Sequence, residues 1–267
     1  MKGLESISSW TATAGAVAAR RRLAERHGDP LFVADWKRAL FLHYAVEAGA
    51  LQAEVPFELD LWEGREAIVT LVAFTMEGMR PFVGGKWTKW LLAPISTHGF
   101  LNARTYVRHG KESGIFFLRE WLSNRIAVHL GPWSFGLPYR YGEIDYHHEP
   151  GPGERMLYGE VRGRGRSLRY RGRIGTEPVS VVVPGTREEF LLERYTAFTC
   201  PGPGNPRRVF EVWHEPWRQA AVEVQIEDDS LLRGLGSWAE GAHLLGANYS
   251  AGVEGVWMGR PQRVRGI

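Results

Sequence analysis

Residues 57–74, FELDLWEGREAIVTLVAF, decide the fold class. From Phe57 to Leu61 apolar and acidic residues alternate, the period of a half-buried strand. Glu63-Gly64-Arg65 reads as a turn. Ala67 to Phe74 is then a near-continuous apolar run rich in β-branched residues, the pattern of a strand buried on both faces. The expectation is a β-hairpin.

The same grammar extends outward. Asn102–Arg108 and Gly114–Leu118 predict a second strand pair around His109-Gly110-Lys111. Arg155–Ile174 predicts two strands, and Arg208–Trp213, Ala220–Ile226 and Tyr249–Trp257 one each. Helical signals are few. Thr186 followed by Glu189 is a capping box, able to satisfy two unpaired N–H groups at a helix start. Asp228-Asp229-Ser230 can cap a short helix over 231–235, Glu120–Ala127 reads as another, and Leu31–Ala50 as a short helical or mixed stretch. Residues 1–30, rich in Ala and Arg and ending at Gly28-Asp29-Pro30, read as a helical extension. The result is a mainly β (α+β) architecture, a closed antiparallel barrel or curled sheet, forming one domain over 31–267.

Composition narrows the function classes. The 267 residues are 44% hydrophobic and include 11 tryptophans, which either wall a cavity or fill a bulky core. Cys200 is the one cysteine, so an intrachain disulfide is excluded. No run reaches the ~20 apolar residues of a membrane span, and the first residues lack the apolar core of a signal peptide, so a cytoplasmic protein is expected. The net charge is only +3, carried mostly by arginine; the lysines are Lys2, Lys37, Lys86, Lys89 and Lys111.

Seven stretches occur in a specific order: WKRALFLHYAV (36–46), FELDLWEGREAIVTLVAFTMEGMRP (57–81), NARTYV (102–107), GLPYRYGEI (136–144), ERYTAF (193–198), HEPW (214–217) and YSAGVEGVW (249–257). This ordered set resembles the YqjF-like family, domain of unknown function 2071, a branch of the acetoacetate decarboxylase-like superfamily. The resemblance implies a barrel-like domain around a central cavity, flanked by short helices. In acetoacetate decarboxylases the segment matching Phe135–Arg140 ends in two lysines. The first forms an imine with the substrate, and the second lowers its pKa by like-charge repulsion. Here those places hold Tyr139 and Arg140. A phenol cannot form an imine, and a guanidinium stays protonated. An acidic residue of that pattern is also lost, its place falling near Phe100. Lys86 or Lys89 would have to enter from elsewhere to restore an amine.

The remaining polar groups define the candidate site. On a strand, Asn102, Arg104 and Tyr106 share one face. If that face is internal, Arg104 can hold a carboxylate through two parallel N–H bonds. Tyr139, His43 and His214 are the candidate proton carriers. Tyr106, Arg140, Trp217 and Tyr249 are taken as further ligand contacts beside Arg104. His147-His148-Glu149 is no metal site in this reading, since adjacent strand residues point apart, and no cofactor is expected. Arg162, Arg164, Arg166, Arg169, Arg171 and Arg173 suggest nucleic acid. However, the alternation of Leu168, Tyr170 and Gly172 with arginines marks a two-faced strand, and nucleic-acid binding ranks last. The expected partner is a small, acidic organic molecule, turned over by a lyase or hydrolase without an imine, or bound without catalysis; a homo-oligomer is compatible.

Overall fold

The computed structural model describes residues 30–264, apart from Pro152, Pro203 and the side chains of Lys86, Thr88, Lys89, Leu91 and Trp133. The helical extension expected over residues 1–30 lies outside the described residues but for Pro30, which opens the first strand. The first half of the chain contributes β1 (Pro30–Val46), helix α1 (Ala48–Glu54), β2 (Glu58–Leu59), β3 (Ala67–Pro81), β4 (His98–His109), β5 (Glu112–Leu122), helix α2 (Arg125–Phe135), β6 (Tyr139–Tyr141) and β7 (Glu143–His147). The second half contributes β8 (Met156–Gly163), β9 (Arg166–Ile174), β10 (Ser180–Val181), α3 (Arg187–Leu192), β11 (Thr196–Thr199), β12 (Arg208–Trp213), β13 (Arg218–Asp228), α4 (Ser230–Arg233), β14 (His243–Gly259) and β15 (Gln262–Arg263). A 3₁₀ segment, Gly85–Ile95, links β3 to β4. Among the described residues no helix is long and apolar enough to cross a membrane.

One sheet organises the molecule. Its strands pair in the order β12-β11-β5-β4-β3-β1-β14-β13-β9-β8-β7. The sheet curls until β12 also meets β14, through Val212–Met258 and Trp213–Trp257, so the pairings form a barrel-like circuit. On the opposite side β11 runs parallel to β5, at Ala197–Ile115 and Phe198–Phe116. That approach is close: a Cβ on Gly114 would lie 2.4 Å from the Thr196 carbonyl oxygen, so only glycine fits there.

The long strands serve two cores. On β1, Leu40, Leu42 and Tyr44 face one core while Ala39 and Phe41 face the other. On β3, Val69, Leu71 and Ala73 alternate in the same way with Ile68, Val72 and Phe74. Every residue is therefore buried although the side chains alternate, which is why Ala67–Phe74 reads as a continuous apolar run. The first core continues under β8, β9 and β13 with Leu157, Tyr170 and Val222. The second lines the inside of the circuit with Phe74, Phe100, Phe135 and Phe210.

Three expectations need correction. The stretch 31–50 is mostly strand: β1 is a central strand between β3 and β14, and its two buried faces erase the period-2 signal. A bulge, with Arg38 at φ 56°, shifts its register further. Glu120 belongs to β5, not to a helix; the helix starts later, where Asn124 Oδ1 accepts from the N–H groups of Ile126 and Ala127. The short strand after Phe57 pairs with β4, Leu59 opposite Val107, and only a Trp62–Glu66 bridge joins it to the turn before β3. The cap at Thr186 forms as expected: Thr186 Oγ1 accepts from the Glu189 N–H, and Glu189 Oε2 accepts from the Gly185 N–H.

Candidate active site in the barrel cavity

The circuit encloses a cavity of about 290 Å³. Its wall is mostly hydrocarbon and aromatic, including Phe74, Phe100, Ile115, Leu122, Phe135 and Met258. The polar groups on it are few: His98, Asn102, Arg104, Glu120, Ser134, Tyr139, Arg194, Thr196 and His214.

β4 supplies Phe100, Asn102 and Arg104 from one face, as alternation requires. Arg104 is buried; its Nη2 donates to the Leu191 carbonyl at 3.1 Å, and its Nε has no acceptor among the described residues. No carboxylate pairs with it among the described residues. Burial lowers its pKa, opposed by Tyr106. Arg194, by contrast, is matched: Nη1 lies 2.8 Å from Asp60 Oδ2, with both side chains buried. Of the two cavity arginines, Arg104 is the one a ligand anion would complement.

β5 brings Glu120 to the wall directly opposite Asn102. The register slips where Ala103 pairs with Arg119 but Arg104 with Phe117. This bulge flips the parity of β5, so that Ile115 and Phe117 share the interior with Glu120 and Leu122. Burial raises the Glu120 carboxyl to a pKa of about 8, so it carries a proton at neutral pH. Glu120 Oε2 and Asn102 Oδ1 are both buried without a hydrogen-bond partner among the described residues.

The structure brings Tyr139, His214 and Arg104 together on the wall. Tyr139 follows α2 on β6, beside Glu120, with its ring edge-on to Phe100 at 6.0 Å. Burial first, and then the Glu120 charge, hold its phenol well above the ordinary value, so it can donate a hydrogen bond but not act as a base at neutral pH. His214 is buried and stacked 4.8 Å from Tyr195. Its Nδ1 lies 2.8 Å from the Glu215 carbonyl, an acceptor, so Nδ1 carries a proton. His98, not anticipated, also lines the cavity; burial lowers its pKa to about 4, so it is neutral.

The other expected residues do not line the cavity. His43 sits behind the wall, with Nε2 2.9 Å from Asn248 Oδ1 and Nδ1 2.9 Å from Thr70 Oγ1. Burial lowers its pKa to about 3, and the hydrogen bond to Asn248 opposes this only partly. Tyr106 continues that chain, 2.7 Å from Thr70 Oγ1 and donating to the Leu191 carbonyl. It therefore supports the carbonyl that holds Arg104. Trp217 packs edge-on against Phe41 and near-parallel to Trp36. Arg140 is exposed and folds back on the Tyr139 carbonyl, because adjacent strand residues face opposite ways. Tyr249 donates to the His148 carbonyl. His148 itself is buried against Tyr170 while His147 is exposed beside Asp145, so the pair does diverge. Three arginines of β8 and β9 meet acids: Arg162 pairs with Glu143 and Glu160, and Arg169 and Arg171 with Glu227, while Arg164, Arg166 and Arg173 are exposed. Among the described lysines, Lys37 pairs with Glu254 and Lys111 lies in an exposed turn; the side chains of Lys86 and Lys89 lie outside the described ones.

Comparison with known proteins decides the family. Residues 33–254 match the DUF2071 family, described as "Uncharacterized conserved protein (COG2071)". The chain belongs to this family. A relative, the uncharacterized protein YqjF of Bacillus subtilis (strain 168), is 26% identical over 198 residues, covering 72% of this chain and 76% of that one. Among solved structures, the enduracididine biosynthesis enzyme MppR complexed with pyruvate has a TM-score of 0.63 at 13% identity, covering 88% of this chain and 90% of that one. An acetoacetate decarboxylase-like enzyme from Sphingomonas wittichii RW1 has a TM-score of 0.63 at 17% identity, over 89% and 93% of the two chains. The acetoacetate decarboxylase of Legionella pneumophila has a TM-score of 0.60 at 12% identity, over 89% and 88%. These likenesses establish the acetoacetate decarboxylase-like fold. The lysine-bearing position of the resemblance, Tyr139, lies on the cavity wall, and no described lysine does.

Proposed function

We propose that this DUF2071 protein takes one small organic acid into the cavity, with the carboxylate on Arg104 and the body against the aromatic wall. We further propose that turnover, of the lyase or hydrolase type on a keto or enol acid, proceeds by proton transfer and without an imine. The observation that carries this reading is Arg104: a buried guanidinium on a mostly apolar wall, whose Nε–H has no hydrogen-bond acceptor and which pairs with no carboxylate among the described residues. Burying a charge without a counter-ion is costly, and a ligand carboxylate supplies one. A protein of the same fold, MppR, is described as complexed with pyruvate, a small acid. Tyr139 then donates to a ligand oxygen as negative charge develops there, and His214, on the same wall, is the proposed proton carrier.

A second reading is binding without turnover. It is favoured by His43, which the hydrogen bonds to Asn248 and Thr70 lock away from the cavity. Nucleic-acid binding ranks below both, because Arg162, Arg169 and Arg171 are matched by acids and the net charge of the chain is only +3.

Calorimetric titration with 3-phenylpropionate tests the first point. Arg104→Met should weaken binding about 10- to 100-fold, the worth of a charge-assisted hydrogen bond, and leave the affinity for 3-phenyl-1-propanol unchanged. Equal affinities of the variant and the parent for the acid would refute it. Turnover of keto acids or esters that falls on Tyr139→Phe marks the enzyme; acid binding with no turnover marks the binding protein.

A further inference from the structure

We infer that Glu120 and Asn102 form a second polar pole of the cavity, a subsite that reads a neutral hydroxyl at the far end of the bound acid and rejects a second carboxylate. The inference rests on the proposed seating of a carboxylate on Arg104.

The geometry is that of two directly opposed rungs of the β4–β5 ladder. Both side chains lie on the cavity wall and are more than nine-tenths buried, at 7% exposure for Asn102 and 4% for Glu120. Each carries one oxygen with no hydrogen-bond partner among the described residues: Oδ1 of Asn102 and Oε2 of Glu120. Two buried acceptors on facing residues are costly when both lack a donor. A proton on Glu120 Oε2 removes the conflict, because the acid O–H then donates to Asn102 Oδ1. The pairing leaves one group of each residue unspent. Glu120 Oε1 becomes a carbonyl-type acceptor, and the Asn102 amide nitrogen keeps its N–H donors. One acceptor beside one donor matches a hydroxyl, which can donate to Oε1 and accept from the amide.

A carboxylate cannot use this pole. It brings only acceptors, and it would meet the Oε1 lone pairs with its charge buried. Position along the strand sets the spacing. Asn102 and Arg104 are two residues apart on one face, about 7 Å. A hydroxyl at the far end of a phenylpropionate skeleton spans a comparable distance from the carboxylate.

The other titratable or charged groups on the cavity wall are Tyr139, paired with Glu120 through β6, Arg104 and His98 on β4, and His214 and Arg194. His98 is neutral by burial, Arg194 is balanced by Asp60, and Arg104 is assigned to the ligand carboxylate. Burial places the protonation change of Glu120 around pH 8.

Three matched probes decide the matter by calorimetry at pH 7: 3-phenylpropionate, 3-(4-hydroxyphenyl)propionate and 3-(4-carboxyphenyl)propionate. The hydroxy acid should bind about 3- to 10-fold tighter than the unsubstituted acid, and the diacid at least about 10-fold weaker than the hydroxy acid. In Glu120→Ala the advantage of the hydroxy acid should vanish while 3-phenylpropionate keeps its affinity. The hydroxy acid should lose affinity between pH 7 and pH 9 in the parent protein but not in Glu120→Gln, where the amide cannot ionise. Equal binding of all three probes, or tightest binding of the diacid, overturns the subsite and leaves the Arg104 reading intact. Binding of none of the three overturns the Arg104 reading, and the subsite falls with it.

Discussion

Replacing Glu120 by Gln is expected to stabilise the folded protein, and to do so increasingly as pH rises. Burial raises the carboxyl from an ordinary value of 4.5 to about 8. The unfolded chain releases this proton near pH 4.5, while the folded chain holds it until about pH 8. Below pH 4.5 both states are protonated, and the residue imposes no charge penalty. Between 4.5 and 8 the unfolded state is the one that gains by ionising, so stability is lost as pH rises. Above about 8 the penalty is complete, on the order of 3–5 kcal/mol. Glutamine matches the shape of the protonated acid and never ionises. Urea unfolding of the two proteins should therefore give nearly equal stabilities at pH 4 and a difference of that order at pH 9. A difference independent of pH would mean that Glu120 is ionised, or solvated, in the folded protein.

The second large effect concerns the ion pair behind the cavity. Arg194 Nη1 lies 2.8 Å from Asp60 Oδ2, with 2% and 5% of the side chains exposed. Arg194 also donates from Nε to the Phe190 carbonyl and lies over the Phe190 and Tyr106 rings. Removing one partner strands the other charge in a medium that cannot solvate it, typically at a cost of about 3–5 kcal/mol. Asp60→Asn should cost this much, read as a lower denaturant midpoint at constant slope. Adding Arg194→Met should recover a large part of it, because the stranded charge is then gone. If the double variant is as unstable as the sum of the two single ones, the two residues are not coupled. The pair has a functional consequence as well. By satisfying Arg194 internally, Asp60 leaves Arg104 as the cavity cation that an incoming acid would complement.

Much of the fold was legible because its signals are local. Glycine turns, the alternation of Leu168 and Tyr170 with arginines, and the capping box at Thr186 depend on near neighbours along the chain. The strand β1 was not legible. Its period is masked by burial on two faces and interrupted at the Arg38 bulge, so Ala39–Val46 reads equally well as helix. The same physics governs the site. Asn102 and Arg104 follow from strict alternation along β4 and do face the cavity. Glu120 was hidden because its stretch reads as a helix, and a one-residue slip in β5 turns it inward. The place near Phe100, where the resemblance puts an acid, holds an aromatic ring, whereas the acid on the wall comes from the neighbouring strand, two rungs along. His43 looked chemical because it stands among apolar neighbours. In space those neighbours include Thr70 and Asn248, whose hydrogen bonds make it a structural histidine. Contacts made across 27 and 205 residues of chain cannot be read from a stretch of eleven.

The central claim is that a carboxylate seats on Arg104 inside a cavity whose described wall offers no amine. A crystal structure of the protein with 3-phenylpropionate tests it most directly. The account predicts the acid inside the cavity, non-covalently bound, its carboxylate oxygens within hydrogen-bond distance of the Arg104 guanidinium and its ring against Phe74 and Phe100. A cavity that stays empty at saturating acid, or an acid held elsewhere or bonded to a lysine, would contradict it.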